Sequence, residues 1–170
     1  MLTPTIHVRR IRPDESEALR ELRLRALADS PLAFGSTLAA ERDQPAEFWQ
    51  NHARRGASEA GRATFVLVDE RGAWRGLATG SVDKETTSVA HLYSMYVDPP
   101  LRRGGFGRQL VALICDWARD GGMHRVVLNV TETNAGAIRF YESCGFVPTG
   151  RRQPLPHTPS LLEVEMGREP

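Results

Sequence analysis

The chain has 170 residues, enough for one ordinary domain with a buried core, and 41% of them are hydrophobic, which argues against a disordered polymer. Lys and Arg number 22 against 21 for Asp and Glu, a net charge of +1, and the arginines fall in scattered pairs rather than a dense run, so no nucleic-acid partner is implied. No window approaches a membrane span, the start MLTPTIHVRRIRP lacks a secretion signal's apolar stretch, and Cys115 and Cys144 have no metal-ligand spacing; the expectation is a cytoplasmic protein, one domain over residues 1–170, with reduced thiols and no metal.

Ile6 and Val8 alternate with polar neighbours over residues 5–10 and predict a strand that Pro13 ends. Asp14 then predicts a helix cap, with Glu17 three residues on as in a capping box and Leu19, Leu22 and Ala26 forming an apolar face that runs out near Pro31. Residues 31–61 are less periodic, with Phe34, Phe48 and Trp49 among polar residues and Pro45 where a short helix can begin; one or two short helices with loops are expected. Strand patterns recur at 64–68, 74–82 and 88–97, separated by a turn at Arg71 and Gly72 and a polar turn at 83–87, which predicts an antiparallel meander.

After Val97 the period changes. Leu110, Leu113, Ile114 and Trp117 fall at i, i+3, i+4, i+7, and Gly121 with Gly122 ends the helix they predict. A strand at 125–130 follows, then a helix from Asn134 with Ala137, Phe140, Tyr141 and Cys144 on one face and Gly145 at its end. Apolar clusters near Phe146 and over 161–166 predict two closing strands joined by a proline-containing loop at 153–159. A strand, helix, strand order predicts parallel neighbours ending at Val97 and Val130, joined by a right-handed crossover within a mixed α/β sheet.

The chemistry concentrates in Tyr96-Val-Asp-Pro-Pro-Leu-Arg-Arg-Gly-Gly-Phe-Gly-Arg108, a strand end, a turn, two arginines and three glycines directly before a helix. Glycine lets backbone approach a ligand, and the first N–H groups of a helix with its macrodipole attract an anion such as a pyrophosphate. No Gly-Lys-Ser/Thr follows, and Leu110 stands where a dinucleotide fingerprint needs its third glycine, which disfavours ATP and NAD. By itself the segment reads equally as a structural turn with solvated arginines.

Arg102, Gly105 and Gly107 match the motif Gln/Arg-x-x-Gly-x-Gly/Ala, and Asn134, Ala137, Tyr141, Gly145 and Phe146 match Asn-x-x-Ala-x-x-x-Tyr-x-x-x-Gly-Phe. With both motifs in this order, and Met95-Tyr96-Val97-Asp98-Pro99 before them, the chain resembles the GNAT superfamily of N-acetyltransferases. The resemblance is sharp over about residues 90–150 and loose over 31–61. It implies the α/β (α+β) GNAT fold: a mixed central sheet of about seven strands, an antiparallel N-terminal meander, two splayed central parallel strands, and about four flanking helices. It also implies acetyl-CoA as acyl donor and a primary amine of a small molecule, peptide or protein as acceptor, reacting by direct attack in a ternary complex; a homodimer is compatible with it.

By resemblance, the backbone N–H groups of Arg103, Gly104, Gly105, Phe106, Gly107 and Arg108 hold the CoA pyrophosphate. Met95 and Val97 pair with the pantetheine arm. An N–H near Tyr96 polarises the thioester carbonyl, where negative charge collects as the amine attacks. Tyr141 protonates the departing thiolate, its alternative being a core aromatic beside Ala137 and Cys144. Many members carry Ala-Glu-Leu where this chain has Ala90-His91-Leu92, which makes His91 the candidate base, against a plain strand histidine, with Tyr93 and Glu132 as partners for a water relay. Asn134 is a helix cap, a cofactor contact, or both. Acceptor contacts are expected from 31–61 and 153–159, where Phe34, Phe48 and Trp49 either line a pocket or are core, and Glu41, Asp43 and Glu47 hint at a cationic acceptor. The rival from another class is a silent acyl-CoA-binding sensor on the same fold; a generic binding domain would make the two motifs coincidental.

Overall fold

The structure, a computed structural model, describes residues 5–170. The first alternating segment forms β1 (Ile6–Arg10), which pairs antiparallel with β2 (Arg62–Asp69) across the helices between them. α1 (Ser16–Asp29) buries Leu19, Leu22, Ala26 and Leu27. Its start corrects the sequence reading: Asp14 is not the cap, and Glu15 takes that position without a side-chain capping bond. The Glu15 carboxylate is held instead by the Arg9 guanidinium at 2.9 and 2.5 Å and by the Arg12 N–H at 2.8 Å, a charge-assisted pair that ties helix to strand and outcompetes a cap.

Residues 31–61 contain α2 (Leu38–Arg42), capped by Thr37, and α3 (Ala46–Ser58), which starts after Pro45. α3 is 13 residues long, not a short piece, because Trp49, Ala53 and Gly56 recur at i, i+4, i+7 and bury together against β2. The meander follows as β2, β3 (Trp74–Val82) and β4 (Val89–Val97), then α4 (Phe106–Asp120), β5 (Arg125–Thr131), α5 (Ala135–Ser143), β6 (Val147–Leu155) and β7 (Thr158–Arg168). The loop expected at 153–159 is mostly strand: β6 runs to Leu155, and Pro156 with His157 makes the turn. Pro154 is tolerated there because β6 is an edge strand.

The sheet order is β1-β2-β3-β4-β5-β7-β6, antiparallel except for β4 with β5. One core lies between the sheet and α4 with α5, built from residues such as Leu92, Leu110, Ile114, Leu128, Phe146 and Met166. The other lies between the sheet and α1 with α3, built from Leu22, Leu27, Trp49, Val66 and Leu77. α4 is rotated slightly from the expected stripe, so that Leu110, Val111, Ile114, Cys115 and Ala118 face inward while Leu113 and Trp117 lie at the margin. Gly80 of β3 makes room for the Trp117 ring: a Cβ there would come within 2.6 Å of it.

Candidate active site

Only three residue pairs join β4 to β5: Val89 with Arg125, Ala90 with Val126, and His91 with Val127. Beyond them the strands part. A cavity of about 300 Å³ occupies the split, lined by His91, Leu92, Tyr93, Ser94 and Met95 of β4, Asn129 of β5, Glu163 of β7, Tyr141 of α5, and Arg23 with residues 33–36. The segment after α1 that forms one wall is anchored at both sides. Thr131 donates its hydroxyl to the Leu32 carbonyl at 2.5 Å, and the His157 ring lies 2.8 Å from the Phe34 carbonyl.

A bulge in β4 decides which side chains reach this site. Tyr93 pairs with Thr79 and Tyr96 with Leu77, so β4 carries one extra residue across that step, and Ser94 has a left-handed φ of 54°. The insertion reverses the alternation of the strand. Ala90 and Leu92 face the α4 and α5 core, yet after the bulge Met95 and Val97 face it, while Tyr96 joins the opposite core. Neither Ser94 nor Met95 has a register partner on β3 or β5, so this step of the strand departs from the regular ladder beside the cavity.

Tyr141 is 9% exposed and lines the cavity. Burial pushes its phenol upward, so the group stays protonated at neutral pH and is suited to giving a proton rather than accepting one. His91 lines the same cavity and also an open groove formed by residues 81–85 and Tyr93. Its Nε2 lies 2.7 Å from Oδ2 of Asp83. The Thr86 N–H, the His91 ring and the Glu85 N–H hold the Asp83 carboxyl below the usual carboxylate range.

The glycine segment forms a short 3-10 turn at Pro99–Leu101 and then the start of α4. Gly105, the N-cap, sits at φ +84°, and Arg103 at φ +69°; residues in this region shape turns whose N–H groups form anion-binding concavities. The first bond of α4 runs from Gln109 N–H to the Gly105 carbonyl at 3.1 Å, so the N–H groups of Phe106, Gly107 and Arg108 precede the helical ladder. Such N–H groups at a helix start can donate to an anion.

The side chains of this segment do other work. Arg102 donates to Asp29 at 2.7 Å and to the Val97 carbonyl at 2.9 Å, pinning the loop to the end of α1. Arg108 donates to the Ser143 carbonyl at 2.8 Å, joining α4 to the end of α5. Gly107 leaves space for Phe140 and Met95, 3.1 and 3.3 Å from where a Cβ would stand. Arg103, Gly104 and Gly105 are exposed and Phe106 half-buried. Asn134 caps α5 by accepting the Ala137 N–H at 3.1 Å.

The cavity therefore gathers His91, Met95 and Tyr141, with the glycine segment at the N-terminus of α4 and Tyr96 and Val97 in the two cores. Of the proposed relay partners Tyr93 lines the cavity, whereas Glu132 does not; it lies 3.8 Å from Arg152. Among the aromatic residues of 31–61 Phe34 reaches the cavity, while Trp49 is core and Phe48 packs beside it. Glu41 is buried and bound to Arg23 at 2.9 and 2.7 Å, so its charge is not offered to a cation. Asp83, Glu163, Arg23 and Ser94 were not singled out by sequence. Asp83 looked like an ordinary turn residue, and nothing local reveals that Glu163 returns to β5 opposite Thr131.

Residues 18–146 match the family described as the Acetyltransferase (GNAT) family. A mycothiol acetyltransferase of Salinispora arenicola (strain CNS-205) is 33% identical over 149 residues, covering 83% of this chain but 44% of that protein, so the chain spans less than half of its relative's length. Among solved structures, an acetyltransferase of the GNAT family from Streptococcus pneumoniae superposes with a TM-score of 0.82 at 18% identity, covering 97% of this chain and 99% of that one. The Salmonella typhimurium protein yncA, described as a putative acetyltransferase with its cofactor acetyl-CoA, gives 0.77 at 21%, covering 97% and 94%. These structures share the fold. No helix among the described residues is long and apolar enough to cross a membrane.

Proposed function

The chain belongs to the GNAT family of acetyltransferases, and from that premise we propose that it transfers the acetyl group of acetyl-CoA to a primary amine of a small molecule or peptide, as a cytoplasmic enzyme. The observation that supports this most is one cavity, at the split between β4 and β5, lined by a protonated phenol, an imidazole and a bulged strand that has parted from its parallel neighbour. Bound acetyl-CoA supplies an activated thioester. The chain's own groups do the rest. The N–H groups of residues 103–108 hold the pyrophosphate, and the opened edge of β4 about Met95 and Val97 guides the arm. A main-chain N–H of the bulge, between Ser94 and Tyr96, polarises the thioester carbonyl.

An alkylammonium has no lone pair, so the acceptor must lose a proton before it attacks; His91 takes it, and Tyr141 gives one to the departing thiolate. Asn134 acts here through the start of α5, which it caps and which carries Tyr141 seven residues later. Arg102 acts by fixing the loop against α1 rather than by binding phosphate with its side chain.

Calorimetry with acetyl-CoA beside a thiol-release assay on a panel of amines tests the reading. Saturable binding with thiol release on one class of amines is expected. Folded protein that binds no acetyl-CoA would sink it, and binding without release on any amine would make the chain a sensor.

A further inference from the structure

Asp83 follows the last residue of β3 and opens the turn to β4, and its two carboxylate oxygens are used differently. Oδ1 accepts the N–H of Glu85 at 2.7 Å and of Thr86 at 2.8 Å, which ties the carboxylate to its own turn. The turn is closed by Asp83 N–H to the Val89 carbonyl at 2.8 Å and Val89 N–H to the Thr86 carbonyl at 3.0 Å. Oδ2 is thereby left at 2.7 Å from Nε2 of His91, which pairs with Ser81 on the neighbouring strand.

The other charged or titratable groups around the ring line the groove, are occupied elsewhere or lie across the cavity. Lys84 and Glu85 line the groove on the turn, and Tyr93 of β4 stands beneath the Arg62 guanidinium of β2 at 5.3 Å. Across the cavity, Glu163 of β7 accepts from Gln153 at 2.9 Å, Arg23 of α1 is paired with Glu41, and Tyr141 belongs to α5. Among the described residues, Asp83 is the carboxylate hydrogen-bonded to His91.

An ionised carboxylate only accepts hydrogen bonds, so the ring nitrogen facing it carries the hydrogen. Nε2–H then donates to Asp83, and Nδ1 keeps the lone pair, on a side chain that lines both the cavity and the groove. We propose that Asp83 is a positioning residue of the reaction, holding His91 in the Nε2–H form so that Nδ1 is the nitrogen that takes the acceptor's proton. This rests on the acetyltransferase reading with His91 as base. The proton leaves the acceptor ammonium for Nδ1, the ring becomes an imidazolium, its Nε2–H stays on the unprotonated carboxylate, and the proton passes to solvent through the open groove. The arrangement, base oriented by a third group, is the logic by which a carboxylate serves a histidine in hydrolytic triads, reached here on a strand and its turn.

Asp83→Asn tests this directly, because the amide oxygen can still accept from the turn while the amide nitrogen replaces Oδ2. A donor now faces Nε2, and the ring must turn to the Nδ1–H form, whose one lone pair, on Nε2, is taken by the amide and not offered to the acceptor. Long-range 1H–15N spectra of the folded protein should report Nε2–H in the wild type and Nδ1–H in the variant. The value of kcat/KM should fall by on the order of 10²–10⁴ with acetyl-CoA affinity unchanged. Wild-type spectra showing Nδ1–H overturn the proposal without any variant, as does an Asp83→Asn protein whose kcat/KM and pH profile match the wild type. A wild type that turns over no amine defeats the acetyltransferase reading itself, whereas an active wild type with an equally active Asp83→Asn leaves that reading standing and defeats this inference.

Discussion

Tyr141 and His91 reach one cavity from different elements, and each is assigned one proton. Burial keeps the Tyr141 phenol protonated, so its removal should cost chemistry and not cofactor binding. Tyr141→Phe should lower kcat by roughly 10²-fold, within the span of general acid catalysis, while calorimetry finds the acetyl-CoA Kd within error of the wild type. A weakened Kd with unchanged kcat would make the ring a wall of the site and nothing more. For His91 the role rests on the ring's lone pair, which takes the acceptor's proton. His91→Ala should lower kcat/KM while calorimetry finds the acetyl-CoA Kd unchanged; an unchanged kcat/KM would return His91 to a structural role. Both residues, which the fold brings to the cavity, were singled out in sequence through the motifs around them. Asp83 was not, because Asp-Lys-Glu-Thr-Thr has the composition of any polar turn, and only folding brings its Oδ2 to 2.7 Å from a ring eight positions on.

The element that most shapes the site is β4. Its pairing to β3 continues past the point where its pairing to β5 stops, and the bulge at Ser94 lets one strand serve two cores in turn. The sequence displays the strand but not the bulge, since Tyr93-Ser-Met-Tyr-Val97 is compatible with unbroken alternation. The start of α4 was more readable as an element, because three glycines precede a helical stripe, although the glycines alone fit a structural turn as well as an anion site. At Gly105 the backbone is left-handed and open around a would-be Cβ, so Gly105→Ala meets no clash and pays only for the conformation, about 1–2 kcal/mol. The melting temperature should drop by a few degrees, roughly 2–6 °C at this size, and acetyl-CoA binding should weaken further than stability alone requires. A variant that melts lower yet binds acetyl-CoA as tightly as wild type would separate this turn from the pyrophosphate. The Glu15 cap and the long β6 were misread for a shared reason: the pairing partners, Arg9 and β7, are brought there by tertiary structure.

In the whole molecule one sheet is covered on both faces, and the cavity opens where its two central strands part. The two cores meet only through that sheet, so whether they unfold together is a property of the molecule rather than of any helix. Leu22→Ala in one core and Ile114→Ala in the other remove fully buried side chains and should each cost about 2–5 kcal/mol. Chemical denaturation should show each loss in a single shared transition; two separable transitions would divide the chain into independently folding parts. The overall architecture was the most legible feature of the sequence, since strand and helix periods, their order and two spaced motifs all agreed. The acceptor remains the least legible, because Arg23, residues 33–36 and Glu163 converge from distant parts of the chain. The most direct measurement of the central claim is mass analysis of an amine panel after incubation with acetyl-CoA and the purified chain: the account predicts an acetylated product from one class of amines, sharply reduced with Tyr141→Phe, and saturable acetyl-CoA binding with no acetylated amine would contradict it.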